Sequence, residues 1–448
     1  MADKNTQVAV IGAGPGGYAA AFLAADMGMS VTLIDPAENP GGVCLYRGCI
    51  PSKALLHVSR LINEAAEAEA WGISFGKPKI DVKALGKWKS EVVAGLTGGL
   101  GRLVAQRKID HIRAMAAFAD DQTLTLTDDD GATSTLAFEH AILATGSRSV
   151  EIPVFPSDDD RVWNSRDALD LKSAPKKLLV VGGGYIGLEL GSVYAALGSK
   201  VTVVEMLPQL LAGVDRDLVR FLQKRLADRF AAIMLNTTVK AVKAQKNGLK
   251  ITFETEDGET SAQLFDRVLV AVGRRPRSSG LGLEKAGIEL DDDGFVKIDG
   301  QCRTTADRIF AIGDVAGQPM LAHKASYEAR IAVETIGGKN VVADAVAIPA
   351  VIFTDPEIAW TGLTESAAKE KGMAVEVARF PWAASGRAVT LGRSDGLTKL
   401  VVDPESERLL GVGIVGPGAG ELVAEATLAL EMGANVTDVA LTIHPHPT

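Results

Sequence analysis

The stretch Val8-Ala9-Val10-Ile11-Gly12-Ala13-Gly14-Pro15-Gly16-Gly17 decides the fold. Four consecutive apolar residues predict a strand buried on both faces, as in a parallel sheet. Gly12, Gly14 and Gly17 then fall at the spacing of a dinucleotide-binding turn. The first glycine makes the tight turn, the second lets a pyrophosphate approach the backbone, and the third lets the following helix pack on the strand. The alanine-rich segment beyond predicts that helix, with its N-terminus facing the pyrophosphate. A second strand over residues 31–34 ends at Asp35, whose carboxylate can accept hydrogen bonds from a ribose.

The same order returns downstream. Residues 178–181 predict a strand, Gly182-Gly183-Gly184-Tyr185-Ile186-Gly187 the turn, and residues 201–204 a strand ending at Glu205. The first glycine and the acid are twenty-three residues apart in both copies. One such pattern is weak evidence, but two, each inside a strand–helix–strand unit and each closed by an acid, predict two bound dinucleotides. At the second site Glu205 would repel a 2′-phosphate, and Met206-Leu207 supply no arginine to receive one, so NAD is expected over NADP.

Working outward, a chain of 448 residues exceeds one core and suggests three or four domains. A net charge of −9 without a basic block argues against nucleic acid and anionic membrane surfaces as partners. Residues 8–25 carry no charge and approach the length of a membrane span. Four glycines and Pro15 interrupt them, so strand, turn and helix explain them better. The N-terminus has no basic region followed by a cleavage site, so no secretory signal is expected and the cytoplasm is the expected compartment. Three cysteines are too few for a secreted disulfide framework. Cys302 reads as a bystander, and no metal site is expected.

The other two cysteines lie in Gly41-Gly42-Val43-Cys44-Leu45-Tyr46-Arg47-Gly48-Cys49-Ile50-Pro51-Ser52-Lys53. An undistorted helix would separate them by roughly 7.5 Å with their ends facing apart, whereas a disulfide needs Cα atoms within about 7 Å. Gly41, Gly42 and Gly48 allow the backbone to bend into reach. Pro51 suits the first turn of a helix starting near Cys49, and a helix N-terminus favours a thiolate. On spacing alone, two buried structural cysteines are an equal reading.

Three further strands end in loops that could touch a cofactor: residues 141–144 before Thr145-Gly146, residues 268–272 before Gly273-Arg274, and residues 309–312 before Gly313-Asp314. Asp314 could hold a sugar hydroxyl or cap a helix. From about Ala343 the character changes. Residues 396–403 and 409–416 predict neighbouring strands and residues 421–432 an amphipathic helix, giving a separate α+β domain.

Together these residues resemble the flavoprotein disulfide reductases over nearly the whole chain, and most specifically their lipoamide branch. The resemblance is carried by the fingerprints, the run from Cys44 to Lys53, residues 304–314, Pro319-Met320-Leu321-Ala322-His323-Lys324, Tyr327-Glu328 and Thr354-Asp355-Pro356-Glu357-Ile358-Ala359-Trp360. Phe380-Pro381-Trp382-Ala383-Ala384-Ser385-Gly386-Arg387 and the closing His444-Pro445-His446-Pro447-Thr448 are the most specific to that branch. Tyr46 and Arg47 stand where asparagine and valine are commonest, a departure expected to be tolerated.

The resemblance implies an α/β fold with two Rossmann-like dinucleotide-binding domains, a central domain and a C-terminal α+β dimerisation domain. The expected boundaries are 1–147 for FAD with the redox disulfide, 148–271 for NAD, 272–342 for the central domain and 343–448 for the interface. Electrons would pass from dihydrolipoamide to a Cys44–Cys49 disulfide, then to FAD, then as hydride to NAD. Cys44 would be the interchange thiol, Cys49 would lie against the flavin, and His446, with His444 as its neighbour, would be the base. In the family the base serves the partner subunit's site, which implies a homodimer. Lys53 and Glu189, each a helix-surface charge when read alone, would meet beside flavin and nicotinamide.

The implied cofactor contacts are Gly12, Gly14, Gly17, Asp35, Gly42, Lys53, Ala117, Thr145, Gly146, Asp314 and Ala322, together with Gly182, Gly184, Tyr185, Ile186, Gly187, Glu205, Val239, Gly273 and Arg274. No lipoyl signature precedes Val8, so the substrate arm is expected from another protein. The candidates are the lipoyl domains of 2-oxo acid dehydrogenase acyltransferase subunits or the glycine cleavage carrier protein. Glutathione, trypanothione and mercuric reductases are the nearest alternatives: Glu205 opposes the NADP-using ones and the His-Pro-Thr ending the last. A redox-silent FAD scaffold is opposed by the presence together of Cys44, Cys49, Lys53 and His446. The family carries a carboxylate five residues past the histidine that orients it. This sequence ends at Thr448, so the expectation is either a histidine without that partner or a longer chain.

Overall fold

The computed structural model describes residues 4–448; the first three residues of the expected FAD domain lie outside the described residues. The chain divides into two compact units, one built from residues up to 51, 86–150 and 274–344, the other from residues 52–85, 151–273 and 345–448.

In the first unit the predicted strand is Lys4–Ile11, flanked in parallel by Val31–Ile34 and Thr133–Leu143. Ile11 aligns with Ile34 on one side and Leu143 on the other, so the fingerprint leaves the carboxyl edge of the sheet between two neighbours. Asp110–Ile112 extends the parallel sheet beyond Val31–Ile34, and Ile309–Ala311 pairs in parallel with Thr133–Leu143. Thr123–Thr127 and Met115–Phe118 add antiparallel strands. Val8, Ala9, Val10, Leu33 and Ile142 are fully buried because helices cover the faces of a parallel sheet. One of those covers is the pair Pro15–Asp26 and Ala322–Ile336, packed closely because Gly16 and Ala325 meet between them.

The second unit repeats the plan. Lys177–Val181 lies in parallel between Lys200–Val204 and Arg267–Val270, with Val181 aligned to Val204 and Val270. Ala232–Met234 and Val162–Trp163 close the two edges. A three-stranded antiparallel sheet, Thr237–Gln245, Gly248–Thr255 and Thr260–Phe265, is built from the segment between parallel strands. The α+β region predicted from Ala343 is a five-stranded antiparallel sheet in the order Ala350–Ile352, Glu357–Gly362, Leu409–Gly416, Leu397–Val402, Glu376–Pro381, packed against the helix Ala419–Glu431. The two strands read from its sequence are neighbours, as expected.

Lys399 is a charged residue buried within this sheet. It stands in the strand Leu397–Val402 and is 1% exposed. Its ammonium lies 2.6 Å from Asp215, 2.7 Å from Asp217 and 3.2 Å from Glu365. These three carboxylates converge closely enough to suit a cation, and the lysine supplies that charge. A buried ammonium is tolerable only with such compensation.

Candidate active site

The first cradle is the turn after Ile11. Gly12 has φ +97°, and a Cβ on it would lie 2.5 Å from the carbonyl oxygen of Ala144; a Cβ on Gly17 would lie 1.8 Å from that of Gly12. Neither position can carry a side chain without displacing backbone. Asp35 accepts hydrogen bonds from the N–H of Ala13 (Oδ2, 2.8 Å) and of Ala37 (Oδ1, 2.9 Å). The carboxylate is thereby fixed beside the turn, with lone pairs left for sugar hydroxyls.

The second cradle has the same construction. A Cβ on Gly182 would lie 2.5 Å from the Ala271 carbonyl, and one on Gly187 would lie 2.3 Å from that of Gly182. Glu205 accepts from the N–H of Gly183 at 2.7 Å and of Leu207 at 2.9 Å. A Cβ on Gly184 would meet nothing within 4 Å, so the backbone faces open space at the N-terminus of the helix Tyr185–Ala196. That space, lined by helix N–H groups, fits a pyrophosphate. Tyr185 is exposed, Ile186 half-buried, and Met206 and Leu207 both exposed.

The cysteine segment is packed on the first cradle. The N–H of Gly41 donates to the Ala13 carbonyl at 2.8 Å, and a Cβ on Gly42 (φ +57°) would lie 2.5 Å from Gly14 Cα. Cys44 sits in the short helix Gly42–Arg47 and Cys49 opens the helix Cys49–Glu67. The bend expected from the glycines falls at Gly48 (φ −146°, ψ −113°), where a Cβ would lie 2.9 Å from the Val43 carbonyl. Pro51 is the third residue of the second helix, inside the first turn, where a missing N–H is tolerated. Tyr46 donates its hydroxyl to the Asn39 carbonyl at 2.9 Å. Tyr18, in the first turn of Pro15–Asp26, was not anticipated. Burial first, then the charges of Cys44 and Cys49, raises its phenol above the usual value.

Asp314 lies in the turn Gly313–Val315 and caps no α-helix, so the capping alternative does not hold. It accepts a short hydrogen bond from the hydroxyl of Ser147. Arg274 in turn donates from Nε to that hydroxyl at 2.8 Å and from Nη2 to the Ser147 carbonyl at 2.9 Å. Ser147 is 2% exposed and was invisible in the sequence, where it is one serine after a glycine. Thr145 donates to the Arg277 carbonyl at 2.8 Å. Glu328 accepts the N–H of Gly313 at 2.7 Å and pairs with Lys324 at 2.7 Å, steadying the Asp314 turn from below. Ala322 starts the helix Ala322–Ile336, and Ala117 lies in the strand Met115–Phe118 opposite Thr125.

In the second unit Lys53 Nζ lies 2.7 Å from Glu189 Oε2. Glu189 is 3% exposed, which removes the helix-surface reading of that residue. Val239 pairs with Phe253 beside a bulge, and Gly273 has φ +122°. His446 lies exposed beyond the helix Val436–Leu441. His444 is bonded through Nε2 to Glu425 at 2.5 Å and through Nδ1 to the Thr442 carbonyl at 2.8 Å. The Glu425 hydrogen bond raises its pKa.

The sequence pattern described as pyridine nucleotide-disulphide oxidoreductase matches residues 6–329, and that family's dimerisation domain matches residues 348–448. The chain is 48% identical to a dihydrolipoyl dehydrogenase of Vibrio cholerae, over 100% of this chain and 94% of the relative. It is 45% identical to that of Thermus scotoductus, over 99% and 95%. Among solved structures, LpdA from Mycobacterium tuberculosis superposes with a TM-score of 0.90 at 28% identity, covering 99% of this chain and 97% of that one. The HOCl-induced flavoprotein disulfide reductase RclA from Escherichia coli superposes with a TM-score of 0.87, again at 28% identity and covering 99% of this chain and 97% of that one.

Proposed function

Because the chain belongs to the pyridine nucleotide-disulphide oxidoreductases, we propose that it oxidises protein-bound dihydrolipoamide to lipoamide and reduces NAD. The observation that carries this reading is the 48% identity with a dihydrolipoyl dehydrogenase over 100% of this chain, joined to a cysteine segment seated on the first nucleotide cradle. The cofactors are FAD and NAD, and the donor sets of the two cradles suit them. Asp35 would face the ribose of FAD and Asp314 a hydroxyl of its ribityl chain; Glu205 would face the ribose of NAD. Bound FAD supplies the two-electron connection between the thiols and the nicotinamide.

The chain's own residues handle sulfur and protons. With Cys44 and Cys49 oxidised to the disulfide, a substrate thiolate attacks Cys44 Sγ, breaking that S–S bond to form a mixed disulfide and releasing Cys49 as thiolate. The second substrate thiolate attacks the substrate sulfur of that mixed disulfide, closing lipoamide and releasing Cys44. Both substrate thiols must lose a proton, because the thiolate is the nucleophile. His446, acting in the partner's site, is the base, and an imidazole suits the task near neutral pH. Lys53, held by Glu189, would be the cation that stabilises reduced flavin.

The dimerisation domain over residues 348–448 supports a homodimer. We assign 1–147 to FAD, 148–271 to NAD, 272–342 to the central domain and 343–448 to the interface. The substrate arm is a lipoyl domain of an acyltransferase subunit or of the glycine cleavage carrier, met in the cytoplasm. Among the described residues no helix is long and apolar enough to cross a membrane.

The test is anaerobic NAD reduction by dihydrolipoamide, followed at the nicotinamide absorbance. Rapid turnover is expected. FAD reduced by NADH without dihydrolipoamide turnover would refute the assigned substrate.

A further inference from the structure

Lys53 is held on two sides. Glu189 Oε2 lies 2.7 Å from its ammonium, and that ammonium stands 4.5 Å above the centroid of the Phe353 ring. The same phenylalanine also holds the carboxylate: its backbone N–H donates to Glu189 Oε1 at 3.0 Å. One residue therefore contacts both members of a pair that are 136 positions apart in the chain.

Phe353 is itself anchored. Two residues on, Asp355 meets Arg393 at 2.7 Å, Arg225 at 3.0 Å and Arg229 at 3.1 Å. Between them Thr354, buried, donates to the Pro356 carbonyl at 2.9 Å. A turn pinned this way cannot drift, so the ring and the N–H stay where the pair needs them. Phe353 is 37% exposed, so burial of the phenylalanine is an incomplete reason for an aromatic here. A π-face beneath an ammonium is a sufficient one.

We propose that Phe353 is a positioning residue for the Lys53–Glu189 pair, its ring fixing the ammonium and its N–H fixing the carboxylate. The proposal rests on the role assigned above to Lys53. Without the ring, a lysine that is one-third exposed gains rotamers pointing to solvent, and the time-averaged positive charge at the cofactor falls.

Phe353→Leu tests this, because it removes the π-face and keeps the N–H that holds Glu189. The limiting rate of flavin reduction by NADH should fall by roughly two- to fivefold, the worth of a partly exposed cation–π contact. KM for NADH should stay unchanged, and the flavin midpoint potential should move to a more negative value. Phe353→Tyr should restore both rate and potential. Lys53→Ala is run beside them. If Lys53→Ala leaves flavin reduction at the wild-type rate, the role given to Lys53 is wrong and this inference falls with it. If Lys53→Ala is slow while Phe353→Leu keeps the wild-type rate and potential, the inference alone is overturned. A Phe353→Leu protein that merely melts earlier, with potential unmoved and no rescue by tyrosine, also overturns it.

Discussion

Glu205 reaches back twenty-two residues to accept the N–H of Gly183 at 2.7 Å. Asp35 does the same to the N–H of Ala13 at 2.8 Å. In both cradles the acid that closes the second strand is tied to the residue after the first glycine. The tie makes the carboxylate part of the turn, so its orientation is set before any ribose arrives.

Nucleotide preference follows from that preorganised charge. NADPH should reduce the flavin at least about tenfold more slowly than NADH at equal subsaturating concentration, because a 2′-phosphate would meet a fixed carboxylate. Glu205→Ala should raise KM for NADH and narrow the gap between the two nucleotides. Steady-state kinetics with both nucleotides checks this.

The two glycines that flank Tyr185 and Ile186 should fail differently. Gly187→Ala forces a Cβ to 2.3 Å from the Gly182 carbonyl and should cost several kcal/mol, about 2–4, seen as a large drop in Tm. Gly184→Ala has open space around its Cβ and should fold normally. Its methyl would occupy the path of the pyrophosphate, so NADH affinity should drop with Tm preserved. Calorimetry and NADH titration separate the two.

Cys44→Ser and Cys49→Ser should each reduce dihydrolipoamide turnover by roughly a thousandfold or more, because a hydroxyl cannot exchange disulfides. The flavin of either variant should still be reduced by NADH. Loss of both activities together would mean that the substitution had damaged the cradle on which Gly42 packs.

Asp355 makes acid stability predictable. Burial opposes its ionisation, but the charges of Arg393, Arg225 and Arg229 outweigh it and hold the carboxyl at about 2, below the ordinary 3.8. A depressed carboxyl stabilises the fold above its unfolded pKa and loses that contribution as pH falls through the folded value. The wild type should therefore lose about 2 kcal/mol between pH 4 and pH 2 from this group. Asp355→Asn should be less stable at neutral pH and lack that slope. Denaturant unfolding at a series of pH values measures both.

Much of the site was legible because nucleotide binding is local chemistry. Gly12, Gly14 and Gly17 are dictated by a turn of six residues, and the acid at Asp35 by the length of one helix and one strand. The cysteine bend was legible as a possibility: three glycines surrounded it, but only packing against Gly14 and the Val43 carbonyl assigned the break to Gly48. The Ser147–Asp314 bond, the Arg274–Ser147 bonds and the Phe353 contacts were not legible. Each joins residues more than a hundred positions apart, and none of those residues carries a local pattern that names its partner.

The sequence by itself determined that two parallel strand–turn–helix units exist, where each cofactor turn begins, and that two cysteines follow the first. Periodicity and steric need act over a few residues and are written in residue order. The tertiary structure alone decided which charges are buried. Lys399 is buried in its ring of Asp215, Asp217 and Glu365, and Glu189 is buried against Lys53 and the Phe353 N–H, although nothing local in the sequence marks either charge as buried. Whether an ammonium can leave water depends on carboxylates and π-faces that arrive from distant segments, and only the folded chain brings them together.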